Sequence, residues 1–285
     1  MSIRQGWKGV LLYATQASQG TPSTPNLPVG WWSNLAFNKR GAIEGIRSAG
    51  SRSVVEFEGR TLSTELRFTI DKVQLVGGKT LLQKAIDASG DLPWLTFGVS
   101  DGDSSNDQQV QDCRIDRLEV NVEPDNWVQA TLNLIGGKTT SAGPYTQTFL
   151  DTPGVSAKEA TWSLFEIVGW RLSYSNNLKV QAVIAGPSTS RDPDRIWDYL
   201  EVGQENIELA LRIANPSGID VYANVISSWA SPTLTLESFD TSYSSDTIVF
   251  TFTDLTPTDE NLTIPGSDGD IIYEVPCSAK GLTIT

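Results

Sequence analysis

Among the residues that could carry chemistry, the most informative is one that is missing. The chain has 285 residues and no histidine. That removes Ser-His-Asp and Cys-His nucleophiles, together with most zinc and iron ligand sets. Cys113 and Cys277 stand far apart, without a CxxC or other metal-binding spacing, and read as two reduced, buried thiols. Acidic pairs such as Asp192 and Asp194 have the residue types of a glycosidase, but nothing in the sequence sets them across a cleft. Asp101-Gly102-Asp103-Ser104-Ser105-Asn106-Asp107 has the composition of a calcium loop. It lacks the glycine at the sixth position and has Asp112 where a bidentate Glu belongs, so it reads as a solvated loop. Gly-Gly-Lys-Thr occurs at 77–80 and 136–139, yet Val73 and Leu132 stand where a phosphate-binding loop needs its first glycine, so both are expected to be turns. Nine tryptophans offer stacking surfaces for a sugar or a base. Trp31, Trp127, Trp170 and Trp197 lie beside strand starts and turns, where packing is the commoner role. The expectation is therefore no catalytic residue, no metal ligand, no cofactor, and no enzyme.

Composition points the same way. With 39% hydrophobic and 19% charged residues the chain is that of a folded protein, long enough for two domains with a core each. No apolar run approaches the roughly 20 residues of a membrane-spanning helix, and no export signal is evident behind Arg4 and Lys8. The formal net charge of −13 opposes tight binding to nucleic acid, which requires Lys and Arg to displace counterions from phosphates. It serves solubility, or the handling of a polyanion that must not be held.

The elements that would position such residues are mostly strands, and their order repeats. Gly30-Trp31-Trp32 leads into Asn34–Asn38, a loop follows, and Gly59-Arg60 opens a strand with Leu62, Leu66, Phe68 and Ile70 on one face. Gly169-Trp170 leads into Arg171–Val180, a Pro-bearing loop follows, and Gly203-Gln204 precedes a strand with Ile207, Leu209, Leu211 and Ile213 on one face. Both strands carry Leu-Arg before an apolar residue, at Leu66-Arg67-Phe68 and Leu211-Arg212-Ile213. The spacing from glycine to leucine differs by one residue, which predicts a bulge in one copy.

Along the first half, residues 1–29 form an arm with a short strand at Val10–Ala14 and three prolines behind it. Strands are expected at 33–38, 53–58, 61–71 and 94–99, and a helix from Lys79 to Ser89 ahead of Gly90 and Pro93. Arg117–Glu123 and Trp127–Ile135 alternate apolar with polar residues around Pro124-Asp125-Asn126, as a hairpin with one wet face does. Residues 138–160 read as an interdomain link. In the second half, strands are expected at 170–175, 178–184, 206–213, 233–239, 246–253 and 271–275, with a helix at 218–227. The result is a β-rich α+β protein: an arm at 1–29, a domain at 30–140, a linker at 141–160 and a domain at 161–285, each domain a β-sandwich with one flanking helix.

Leu172-Ser173-Tyr174-Ser175-Asn176-Asn177-Leu178, the Pro-bearing loop and the strand ending Leu211-Arg212-Ile213 resemble the tail tube proteins of long-tailed bacteriophages. Cys113–Val122 with its return strand to Gly136, and the close from Ile272-Tyr273-Glu274-Val275-Pro276 to Gly281-Leu282-Thr283-Ile284, resemble them too. The resemblance covers most of residues 30–285 and is one of pattern and order. It implies a structural virion protein whose inner sheets join into a barrel, two tandem units giving a trimeric, pseudo-hexameric ring, or one elaborate unit giving a hexamer. Stacked rings would form the tube through which genomic DNA leaves, assembled in the host cytoplasm and located in the virion tail. Implied partners are other copies and the tape measure, terminator and baseplate proteins, with DNA in transit only and no membrane. Ser63, Glu65, Arg67, Glu119, Asn121, Gln129, Thr131, Asn133, Asn206, Glu208 and Arg212 would line a polar, net negative lumen. The N-terminal arm and loops 40–52, 101–112 and 186–195 would meet the next ring. The alternatives are a carbohydrate-binding β-module built on the tryptophans and a histidine-free glycosidase.

Overall fold

A computed structural model describes residues 9–46, 56–75, 77–86, 91–123, 126–146, 155–160, 166–181, 199–214, 233–238, 247–258, 261–263 and 272–285. The first part of the chain forms β1 (Val10–Thr15), β2 (Leu27–Pro28), β3 (Trp31–Ile46), β4 (Glu56–Lys72), helix α1 (Gly78–Gln83), β5 (Leu95–Ser100), β6 (Gln108–Val122), β7 (Gln129–Gly136) and β8 (Lys138–Ser141). The next strands are β9 (Val155–Ala160), β10 (Glu166–Ser175), β11 (Lys179–Gln181), β12 (Tyr199–Glu201), β13 (Asn206–Ala214) and β14 (Thr233–Ser238). The last are β15 (Thr247–Thr253), β16 (Thr256–Pro257), β17 (Asn261–Thr263), β18 (Ile272–Ser278) and β19 (Gly281–Ile284). The protein is β-rich, its sheets are antiparallel, and none closes into a barrel among the described residues.

One sheet runs through both halves in the order β3-β4-β7-β6-β10-β13-β18, with β16 and β17 beyond β18. Alternation makes it one-sided: β7 and β13 bury every second residue and leave the others open. Its buried face lies under two further layers. Over the first half the layer is β8-β6-β5-β1-β2, where β6 takes part in both sheets. Over the second half it is β19-β15-β14-β9. Phe68 meets Phe97 at 6.0 Å between ring centroids, Tyr13 meets Phe97 at 6.1 Å, and Trp170 meets Phe250 edge-on at 5.2 Å. Each such ring, fully buried, contributes on the order of 2–3 kcal/mol.

The switch between layers has the same cause in both halves. At Asp112, φ 55°, β6 leaves β5 and β8 and turns to β7 and β10. At Asp254, φ 48°, the chain leaves β15 and enters β16 beside β18. Aspartate tolerates this left-handed conformation better than most side chains.

The pairings therefore fall into two sets of one order: β1, β3, β4, β5, β6, β7 and β8 correspond to β9, β10, β13, β14, β15–β17, β18 and β19. Register fixes the match. Leu66 pairs Leu134 as Leu211 pairs Val275, and Thr140 pairs Gln109 as Thr283 pairs Thr251. On this register Trp170 answers to Phe37, not to Trp31, because Phe37 pairs Leu66 as Trp170 pairs Leu211. The two glycines do not correspond either: Gly59 lies inside β4, whereas Gly203 precedes β13.

Several local expectations change. β4 is continuous where two strands were expected, and residues 40–46 are strand, not loop, because β3 and β4 zip together well past the end of β7. The strand expected at Val10–Ala14 is present as β1, inside the upper layer, whereas 155–160, within the expected link, form β9. Gly77 caps α1 at its N-terminus, so the first Gly-Gly-Lys-Thr opens the helix. The helix ends at Gln83, and Ala85 and Ile86 bond three residues back in tighter turns. The helix expected at 218–227, loop 186–195, Asp192, Asp194 and Trp197 lie outside the described residues.

Candidate functional site

The feature with functional content is the polar face of the long sheet. Cα partners align into rows across it, and one row reads Ser33, Thr69, Thr131, Glu119, Ser173, Glu208, Ser278, Thr256. At about 4.8 Å per strand such a row spans roughly 34 Å. A second holds Arg67, Asn133, Arg117, Ser175 and Asn206, and a third Gln129, Asn121, Arg171, Ala210 and Pro276. Arg212 pairs Glu274 further along.

Glu65, Arg67, Glu119, Asn121, Gln129, Thr131, Asn133, Asn206, Glu208 and Arg212 thus share this face, and none of them is buried. Ser63 lies on β4 opposite Arg40; its side chain is outside the described set. Sequence reading missed Arg117, Arg171, Ser173 and Glu274, although the alternation through Trp170–Ser175 signals the middle two. With these and Asp71, which accepts from Ser33 Oγ, included, Arg67, Arg117, Arg171 and Arg212 stand against Glu65, Asp71, Glu119, Glu208 and Glu274. Four arginines against five carboxylates leave these rows slightly net negative.

The seam at which the two halves join is built by the stretch Tyr174–Leu178. β10 pairs β6 from Trp170↔Val122 to Ser175↔Arg117. Just beyond, buried Asn176 donates through Nδ2 to the carbonyls of Ala85, at 2.9 Å, and Ile115, at 2.7 Å. Its Oδ1 accepts from the Tyr174 hydroxyl, its backbone N–H reaches Asp116 O, and Leu178 N–H donates to Asp116 Oδ1. α1 closes the seam on the other layer: Lys79 Nζ donates to Thr247 O at 2.9 Å, and Gln83 Nε2 to Ile284 O at 3.3 Å. Lys79, expected at the start of the helix, ties the halves together.

The other chemically suggestive residues resolve into packing. Trp170 is 4% exposed, Arg114 lies 3.7 Å from the Trp94 ring, and Lys72 Nζ lies 4.1 Å from that of Trp127. Trp31, 53% exposed, and Trp127, 41% exposed, open onto the surface near the start of the edge strand β3. Burial raises the Cys277 thiol to about 12, and burial with the neighbouring Asp112 charge raises Cys113 well above the usual range. In the acidic loop Asp103 accepts from Ser105 N–H and caps a single 3-10 turn at Ser104–Asn106. Among the described residues no cluster of His, Cys, Asp or Glu is arranged to hold a metal ion, and no helix is long and apolar enough to cross a membrane. No protein-family model matches the sequence, and no curated protein matches it.

Proposed function

We propose that this is a structural protein that assembles with copies of itself into rings and, by stacking, into a tube of the kind found in long-tailed bacteriophages. The observation that carries the reading is the one-sided sheet shared by two repeated halves, whose end strands have no further partner among the described residues. Such edges are a liability in a monomer, and joining them end to end removes it. Three chains, each giving eight strand positions, would make a barrel of about 24 strands, wider than the 16–18-stranded barrels that already hold an aqueous channel. With the polar face inward, phosphates of DNA in transit would meet a polar, net negative wall that does not grip them. With two repeated units in each chain, three chains would supply the six units of a ring, so a trimer is proposed and a hexamer is the alternative. The tape measure, terminator and baseplate proteins of a tail would be the further partners, and the virion tail the place of action.

Trp31 and Trp127 are what favours the carbohydrate-binding alternative. One approach to the Trp127 ring is taken by Lys72, which weakens it as a sugar platform. Sedimentation velocity over a concentration series separates the two readings. The tube reading predicts discrete mass growth in steps of three chains and no tryptophan quenching by polysaccharides. A monomer at every concentration, with saturable quenching, would refute it.

A further inference from the structure

The seam inside the chain is a template for the contact between chains. On one side of it stand donor elements of the first half, the second part of β6 and helix α1. On the other stand acceptor elements of the second half, β10 and β19. The repeat maps those acceptors onto the first half: β10 corresponds to β3 and β19 to β8. Among the described residues both counterparts have an unpaired edge, since β3 pairs only with β4 and β8 only with β6. The same mapping makes β17, which among the described residues pairs only with β18, the counterpart of Arg117–Glu119 in β6, because Asn261 pairs Glu274 as Arg117 pairs Asn133.

From this we infer that the outer edge of β3, together with the end of β8 near Ser141, is the surface that receives a second copy of this chain, and that the incoming edge is β17. The proposal rests on the self-assembly reading above. It adds which surfaces meet, in which direction, and in which register. The contact is head to tail, since donor and acceptor differ, and such contacts close into rings or run on as filaments. Register follows from the internal seam, where Glu119 pairs Ser173. Thr263 is the counterpart of Glu119, and Arg40 that of Ser173, because Arg40 pairs Ser63 as Ser173 pairs Glu208. Thr263 of one copy therefore stands opposite Arg40 of the next.

Two experiments on the full chain test this. In the double variant Arg40→Cys/Thr263→Cys, Cα atoms of paired antiparallel strands lie about 4.5–5.5 Å apart, within reach of a disulfide. Mild oxidation of the assembled protein should give reducible two- and three-chain species, and each single variant should give none. Hydrogen exchange on the unaltered protein should slow by roughly tenfold or more at 31–46 and 138–141 as concentration drives assembly. Assembly with slowed exchange confined to other segments, or with no crosslink in the double variant, would overturn the inference and leave the tube reading standing. A protein that never assembles would end both. Should the double variant fail to assemble, the exchange pattern of the unaltered protein decides.

Discussion

Asn176 ties together segments of both halves of the molecule. It fills the donor needs of two buried carbonyls from segments remote in sequence, and its own side-chain oxygen is taken by Tyr174. Replacing it by alanine leaves Ala85 O and Ile115 O without those partners, at about 1–3 kcal/mol for an unsatisfied buried group. A Asn176→Ala variant is expected to lose about 2–4 kcal/mol in urea unfolding; a loss under about 0.5 kcal/mol would show that the hub does not hold the seam. The sequence shows Tyr174-Ser175-Asn176-Asn177 only as a pattern, since its partners are set by tertiary structure. Buried titrating groups give a second expectation. Cys277 and Tyr13 rise to about 12 from ordinary values of 9.0 and 10.0, because burial penalises their anions. The unfolded chain ionises first, so stability is full below about pH 9 and is lost as pH climbs towards 12. Urea midpoints falling from about pH 9 to pH 11 fit this, and a flat profile would contradict it. Neither thiol should react with a thiol reagent until the chain unfolds.

At the scale of elements, alternation was enough to find β7, β13, β15 and the polar side of the long sheet. Those segments are half buried, and a period of two is what half burial writes into a sequence. It was not enough for β8 or β9, whose places depend on pairing with distant strands, nor for the zipped extension of β3 and β4. Nor could it show that Asp112 and Asp254 are twin corners, since positive φ leaves only a weak preference in sequence. The corners can be tested directly. At position 254, alanine is expected to cost about 1–2 kcal/mol and glycine to be neutral or mildly stabilising, because only a β-carbon makes that conformation costly. Equal effects would show that the Lys280 ion pair at 3.0 Å, not the backbone, is what position 254 supplies.

For the whole molecule, the repeat in order was legible from Leu66-Arg67-Phe68 and Leu211-Arg212-Ile213, while its glycine and tryptophan landmarks were not equivalent in space. The absence of histidine narrows the catalytic options, and the described residues form one long sheet, polar on one side, with no further strand at either end. Negative-stain electron microscopy of the purified protein over a concentration series tests that account most directly, with light scattering for mass. Annular particles with a ring mass of three chains, stacking into hollow filaments, are the predicted result. A protein that stays monomeric at high concentration, with no annular or filamentous particles, would contradict it.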